Sequence, residues 1–126
     1  MKIFEECYTL SNGAKIPRMG LGTWFIPDET VSQAVKDAVK IGYRHLDTAQ
    51  AYGNERGVGE GIRTCSVPRE ELFVVSKVAA EHKTYEAAKA GIDETLKKMG
   101  LDYLDMMIIH SPQPWVEVNQ SENRYK

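Results

Sequence analysis

Apolar positions along the chain follow two alternating rhythms. "DETVSQAVKDAVKIG" carries Val31, Ala34, Val35, Ala38 and Val39 at helical spacing, with Asp28 placed to cap its start and Gly42 to stop it. "TYEAAKAGIDETLKKMG" repeats the pattern, with Ala88, Ile92, Thr95, Leu96 and Met99 on one face. Short apolar runs lie between: "YRHLD", "ELFVVSK" and "LDYLDMMIIH" predict strands, and "MGLGTWF" predicts a shorter one whose glycines keep its backbone open. A weaker helix, capped by Asn54 and running to about Thr64, follows "YRHLD". Near the start, Asn12-Gly13 between two β-prone runs predicts a hairpin with a two-residue turn. Strand and helix alternating with a period of roughly 30 residues is the βαβ signature of a parallel sheet. The last sixteen residues, "SPQPWVEVNQSENRYK", have no period and read as a loop.

Composition narrows the setting. The chain has 126 residues, room for one domain, with 42% apolar and 27% charged residues. A net charge of −2 with scattered basic residues argues against a nucleic-acid partner. "MKIFEECYTL" is too short and acidic for a signal peptide, and no run approaches the length of a membrane span. Cys7 and Cys65 lack metal-like spacing and are expected to be reduced thiols, in keeping with a cytoplasmic protein.

Chemistry gathers where the predicted strands end. "YRHLD" ends on Asp47, "ELFVVSK" on Lys77 and "LDYLDMMIIH" on His110, and Tyr52 follows Asp47 in the next loop. Functional groups of parallel α/β folds collect at the carboxyl ends of strands. Neighbouring strands lie about 4.8 Å apart, so the four residues can share one rim. Taken singly, each has a plainer role: a helix cap, a solvated charge, a packing histidine, a packing tyrosine. Together they form a device for protonating a carbonyl oxygen. A phenol is a weak acid, with a reference pKa of about 10, and an adjacent ammonium favours its ionised form. Asp47 would hold the Lys77 ammonium, and His110 would fix the carbonyl oxygen. The set lacks a nucleophile, so a hydride would have to come from a cofactor.

Two competing patterns are weaker. "GVGEG" gives G-x-G-x-G rather than the dinucleotide fingerprint and starts inside a helix, so its glycines are expected to allow close helix–sheet packing. His45, two residues before Asp47 on the same side of the strand, could join His82 and His110 in a metal-dependent hydrolase site. Lys77 would be an awkward neighbour for a cation there, and no metal is expected; His45 reads as a hydrogen-bonded core residue.

In order along the chain, "GLGTWF", "GYRHLDTAQAYGNERGVGEGIR", "LFVVSK" and "YLDMMIIHSP" resemble the N-terminal half of an aldo-keto reductase. The resemblance runs from about residue 7 to residue 115. It implies an α/β chain forming the N-terminal half of a (β/α)₈ TIM barrel, with an N-terminal β-hairpin at 7–17, about four strands within 19–110 and a loop tail at 111–126. It further implies NADPH- or NADH-dependent reduction of an aldehyde or ketone to an alcohol. Tyr52 would be the general acid, Lys77 and Asp47 would tune it, and His110 would orient the substrate. Gly22, Thr23, Trp24 and Asp47 would contact the cofactor, while most of the contacts to its pyrophosphate, ribose and adenine come from the second half in relatives. The chain alone is therefore expected to bind nicotinamide cofactor weakly. Relatives often carry tryptophans where this chain has "VAAEHK" and Ser111, which implies a more open or more polar pocket wall. A half-barrel has uncovered edges, so a homo-oligomer is expected; the alternative is an inactive half-barrel serving as a binding or structural protein.

Overall fold

The computed structural model describes residues 2–112; the expected loop over 113–126 lies outside the described residues. Two antiparallel strands, β1 (Cys7–Thr9) and β2 (Lys15–Pro17), form the hairpin. Four parallel strands follow in the spatial order β3 (Leu21–Gly22), β4 (His45–Asp47), β5 (Phe73–Val78) and β6 (Met106–Ile109). The connections carry α1 (Asp28–Ile41), α2 (Glu55–Thr64) and α3 (Tyr85–Met99). Sequential strands lie side by side. The ladders are shorter than the apolar runs that announced them.

One core lies between the sheet and the helices. Val31, Val35 and Val39 of α1, Val58 and Ile62 of α2, and Met99 of α3 close over Leu46 and Val74. Because successive strand residues alternate faces, Leu46 and Val74 in this core send His45, Asp47, Val75 and Lys77 to the opposite face. That alternation brings the candidate chemistry onto a single surface.

Three local expectations change. The hairpin turn has three residues: Gly13 N–H donates to Leu10 O at 2.9 Å, and Leu10 N–H donates to Ala14 O at 2.8 Å. Among the described residues of this loop only Gly13, at φ 86°, has positive φ, whereas the two-residue type I′ turn needs it at both central positions. Asp28 does not cap α1. Pro27 occupies the cap position and Asp28 is the first helical residue. The alternate glycines of α2 serve helix–helix rather than helix–sheet packing. A Cβ on Gly57 or Gly61 would strike α1, and one on Gly59 would lie 2.2 Å from Met99 O of α3, while Val58 and Ile62 supply the sheet-facing side.

Candidate active site

Register sets the geometry. Gly22 lies opposite Asp47 in the β3–β4 ladder, and Lys77 lies opposite Ile108 in β5–β6. Asp47 ends β4, Lys77 is the penultimate residue of β5, and His110 directly follows β6, its N–H donating to Val78 O at 3.1 Å. Tyr52 closes a 3-10 turn at Gln50–Tyr52, after which Gly53 reverses the chain at φ 69°.

Lys77 sits at the centre. Its ammonium donates to Asp47 Oδ2 at 2.7 Å, to Thr48 O at 2.8 Å and to Tyr52 Oη at 3.3 Å. With its side chain only 13% exposed, the ion pair is shielded from the screening that weakens surface pairs. The His110 ring meets the Tyr52 ring edge-on, with centroids 6.0 Å apart. On the other side, Trp24 lies 6.3 Å from Tyr52 with its plane inclined by 26°. Asp47, Tyr52, Lys77 and His110 are thus brought together as one cluster.

The loops around this cluster are fastened from behind. Gln50 Oε1 accepts from Ala79 N–H at 2.8 Å, and its Nε2 donates to Thr95 Oγ1 at 3.1 Å, tying the loop to the end of β5 and to α3. Asn54 is 1% exposed and stands at the N-cap position of α2, yet its side chain makes no cap. Its amide group donates to Thr23 O at 2.8 Å and Ile26 O at 3.0 Å, and Thr48 Oγ1 donates to Asn54 Oδ1 at 2.9 Å. Nothing in the local sequence distinguishes this Asn from an ordinary cap.

The expected cofactor contacts divide. A Cβ built on Gly22 would meet no atom within 4 Å, so open space adjoins Asp47 there, and the half-exposed Trp24 ring offers a flat surface beside it. Both features fit a planar ring. Thr23 is wholly buried instead, its Oγ1 and N–H both donating to Asp47 O at 2.9 and 3.1 Å. Its side chain positions Asp47 and does not reach the open face. Phe25, which sequence reasoning passed over, is 82% exposed, adopts φ 67° and stacks on Trp24 at 4.4 Å.

The three histidines stay apart. His45 Nδ1 lies 3.1 Å from Pro17 O, with its ring edge-on to Phe73, which is the hydrogen-bonded role expected of it. His82 packs against Gly91 of α3. Among the described residues no three His, Cys, Asp or Glu side chains gather as metal ligands.

A model of the aldo/keto reductase family matches residues 18–123. The chain belongs to that family. A 9,11-endoperoxide prostaglandin H2 reductase of Trypanosoma cruzi is 45% identical over 108 residues, covering 85% of this chain and 38% of the relative. A glycerol 2-dehydrogenase (NADP(+)) of Saccharomyces cerevisiae is 46% identical over 105 residues, covering 82% and 33%. The crystal structure of an aldo/keto reductase from Brucella melitensis is 40% identical with a TM-score of 0.84, covering 86% of this chain and 42% of that one. This aldo/keto reductase chain therefore spans well under half the length of the relatives it matches. Its hairpin and four parallel strands are the N-terminal half of a (β/α)₈ barrel.

Proposed function

We propose that this chain carries the proton-donating half of a carbonyl reductase that uses NADPH or NADH to convert an aldehyde or ketone to an alcohol. The observation that carries the reading is the Lys77 ammonium held between Asp47 Oδ2 at 2.7 Å and Tyr52 Oη at 3.3 Å, at the carboxyl ends of adjacent strands. The nicotinamide, when bound, supplies hydride to the carbonyl carbon. As negative charge develops on the carbonyl oxygen, Tyr52 Oη gives up its proton to it. Lys77 stabilises the phenolate left behind, while Asp47 and the Thr48 carbonyl keep the ammonium in place. His110 orients the carbonyl oxygen beside Tyr52. Gly22, Trp24 and Asp47 border the nicotinamide end of the site, with Thr23 holding Asp47 from below.

The name of the yeast glycerol 2-dehydrogenase (NADP(+)) supports a small alcohol or its carbonyl counterpart as the substrate class and favours NADP over NAD. Free Cys7 and Cys65 are compatible with a reducing cytoplasm. Among the described residues no helix is long and apolar enough to cross a membrane. In the alternative reading the chain binds or associates without catalysis, and the same experiment separates the two. Fused to the C-terminal half of the Brucella melitensis relative, the chain should oxidise NADPH in the presence of glyceraldehyde. Tyr52→Phe should lower that turnover by a factor of about 10² or more. Full turnover in the variant would remove Tyr52 from its role, and no turnover in either would favour the non-catalytic reading.

A further inference from the structure

Asn54 forgoes the usual work of an asparagine at its position. A side chain at a helix N-cap ordinarily accepts a hydrogen bond from the first turn, but Asn54 makes no such bond to α2. It spends both amide hydrogens on the loop after β3, at Thr23 O (2.8 Å) and Ile26 O (3.0 Å). Those carbonyls bracket the turn that carries Trp24 and Phe25, which Ile26 N–H closes onto Thr23 O at 3.1 Å. The remaining acceptor, Oδ1, takes the Thr48 hydroxyl at 2.9 Å, and the Thr48 carbonyl in turn accepts from Lys77 Nζ at 2.8 Å. One buried amide thus joins the turn bearing Trp24 to the loop bearing Tyr52, close to the ammonium that both loops surround.

We infer that Asn54 is a positioning residue that fixes the Trp24 turn relative to Tyr52, and so sets the opening between them in which the reacting groups are received. The inference rests on the carbonyl-reductase reading for what occupies that opening, but the positioning itself can be measured without it. The Phe25 backbone, at φ 67°, sits in the left-handed region that non-glycine residues seldom adopt, and such a turn persists only when neighbouring bonds hold it. Asn54 provides two of them. The contacts from Lys77 to Asp47 and Tyr52 do not pass through Asn54, so its loss should leave the proton donor in place while the Trp24 wall moves.

Asn54→Asp tests this with little change of shape. It keeps an acceptor for Thr48 and a good capping group for α2, but turns a carboxylate oxygen toward the two loop carbonyls. The chain has two tryptophans, so a Trp115→Phe background leaves Trp24 as the sole emitter. In the folded protein, Asn54→Asp should shift Trp24 emission to the red and raise its quenching by acrylamide. Unchanged emission and quenching would overturn the inference. Where Asn54→Asp fails to fold, Thr48→Val, which removes only the hydroxyl donor, should shift both readouts in the same direction, and no shift there would equally overturn it. Turnover with NADPH and glyceraldehyde, by the chain fused to the C-terminal half of the Brucella melitensis relative, distinguishes a merely structural role. Asn54→Asp should raise KM by about tenfold with kcat held within about threefold. A fall in kcat at constant KM would count against positioning of the Trp24 wall. Absence of turnover in the unaltered fusion would count against the reductase reading and leave the Trp24 readouts to decide the role of Asn54.

Discussion

Two aspartates that look alike in the sequence, each beside an apolar run, take different places. Asp47 holds the Lys77 ammonium. Asp28 joins two helices: its Oδ2 accepts from Arg56 Nε at 2.7 Å and its Oδ1 from Gly57 N–H at 2.8 Å, in the first turn of α2. The bond from Arg56 is the main reason its carboxyl titrates below the ordinary carboxylate range; burial opposes the shift and the Gly57 amide assists it. A carboxylate whose folded value is lowered stabilises the fold above its unfolded value of about 3.9, and that contribution is lost as pH falls through the lower folded value. Asp28→Asn should therefore have a lower urea midpoint than the unaltered chain at pH 7, with the gap closing as pH drops below about 4. An equal gap at pH 7 and pH 3 would refute the charge-based account. Strand-end chemistry was legible because Asp47, Lys77 and His110 each close an apolar run. The pairing of Asp28 with Arg56 was not, since the partners are far apart in sequence and only the packing of α2 on α1 brings them together.

Helix α2 shows the same contrast between elements. Its existence could be read, but not the neighbours its glycines face, because G-x-G-x-G specifies small residues without saying what approaches them. Gly57 and Gly61, four apart, let α1 come close, and Gly59, between them, lets the end of α3 reach the other flank. Strand lengths were over-read for a related reason. "YRHLD" is five residues of strand-like composition, but only His45–Asp47 enter the ladder. Tyr43 and Arg44 are only half-buried and lie before the strand, so strand-like composition does not fix where pairing begins. The glycines make a direct test. Replacing a mid-helix glycine by alanine ordinarily gains about 0.5–1 kcal/mol. At Gly59 the new methyl carbon would lie within 2.6 Å of three Met99 backbone atoms, which cannot rotate away. Overpacking of that kind costs about 1–3 kcal/mol. Gly59→Ala should thus lower the thermal midpoint despite its better helix propensity, as followed by circular dichroism, and a raised midpoint would show that α3 yields.

For the whole molecule the decisive feature is the pair of sheet edges. Among the described residues β3 pairs only with β4, and β6 only with β5, so each presents one side with unpaired backbone groups. In a closed barrel such edges do not exist, and where they do they pair with other chains. Ile109 is 71% exposed on β6 and Ile108 beside it 39%, which adds apolar surface to an edge already able to template a strand. Repeating βα units give a barrel approximate internal symmetry, so a second copy offers a matching set of four strands. The purified 126-residue chain should therefore associate, with a dimer as the smallest species able to close eight strands. A lysine placed on an edge strand blocks pairing by its charge, so Ile109→Lys should shift the population toward monomer. Light scattering at micromolar concentration reads both forms. A monomeric unaltered chain that unfolds cooperatively would mean that the two edges are satisfied within one copy, and the association account would then fail whatever the Ile109→Lys variant does.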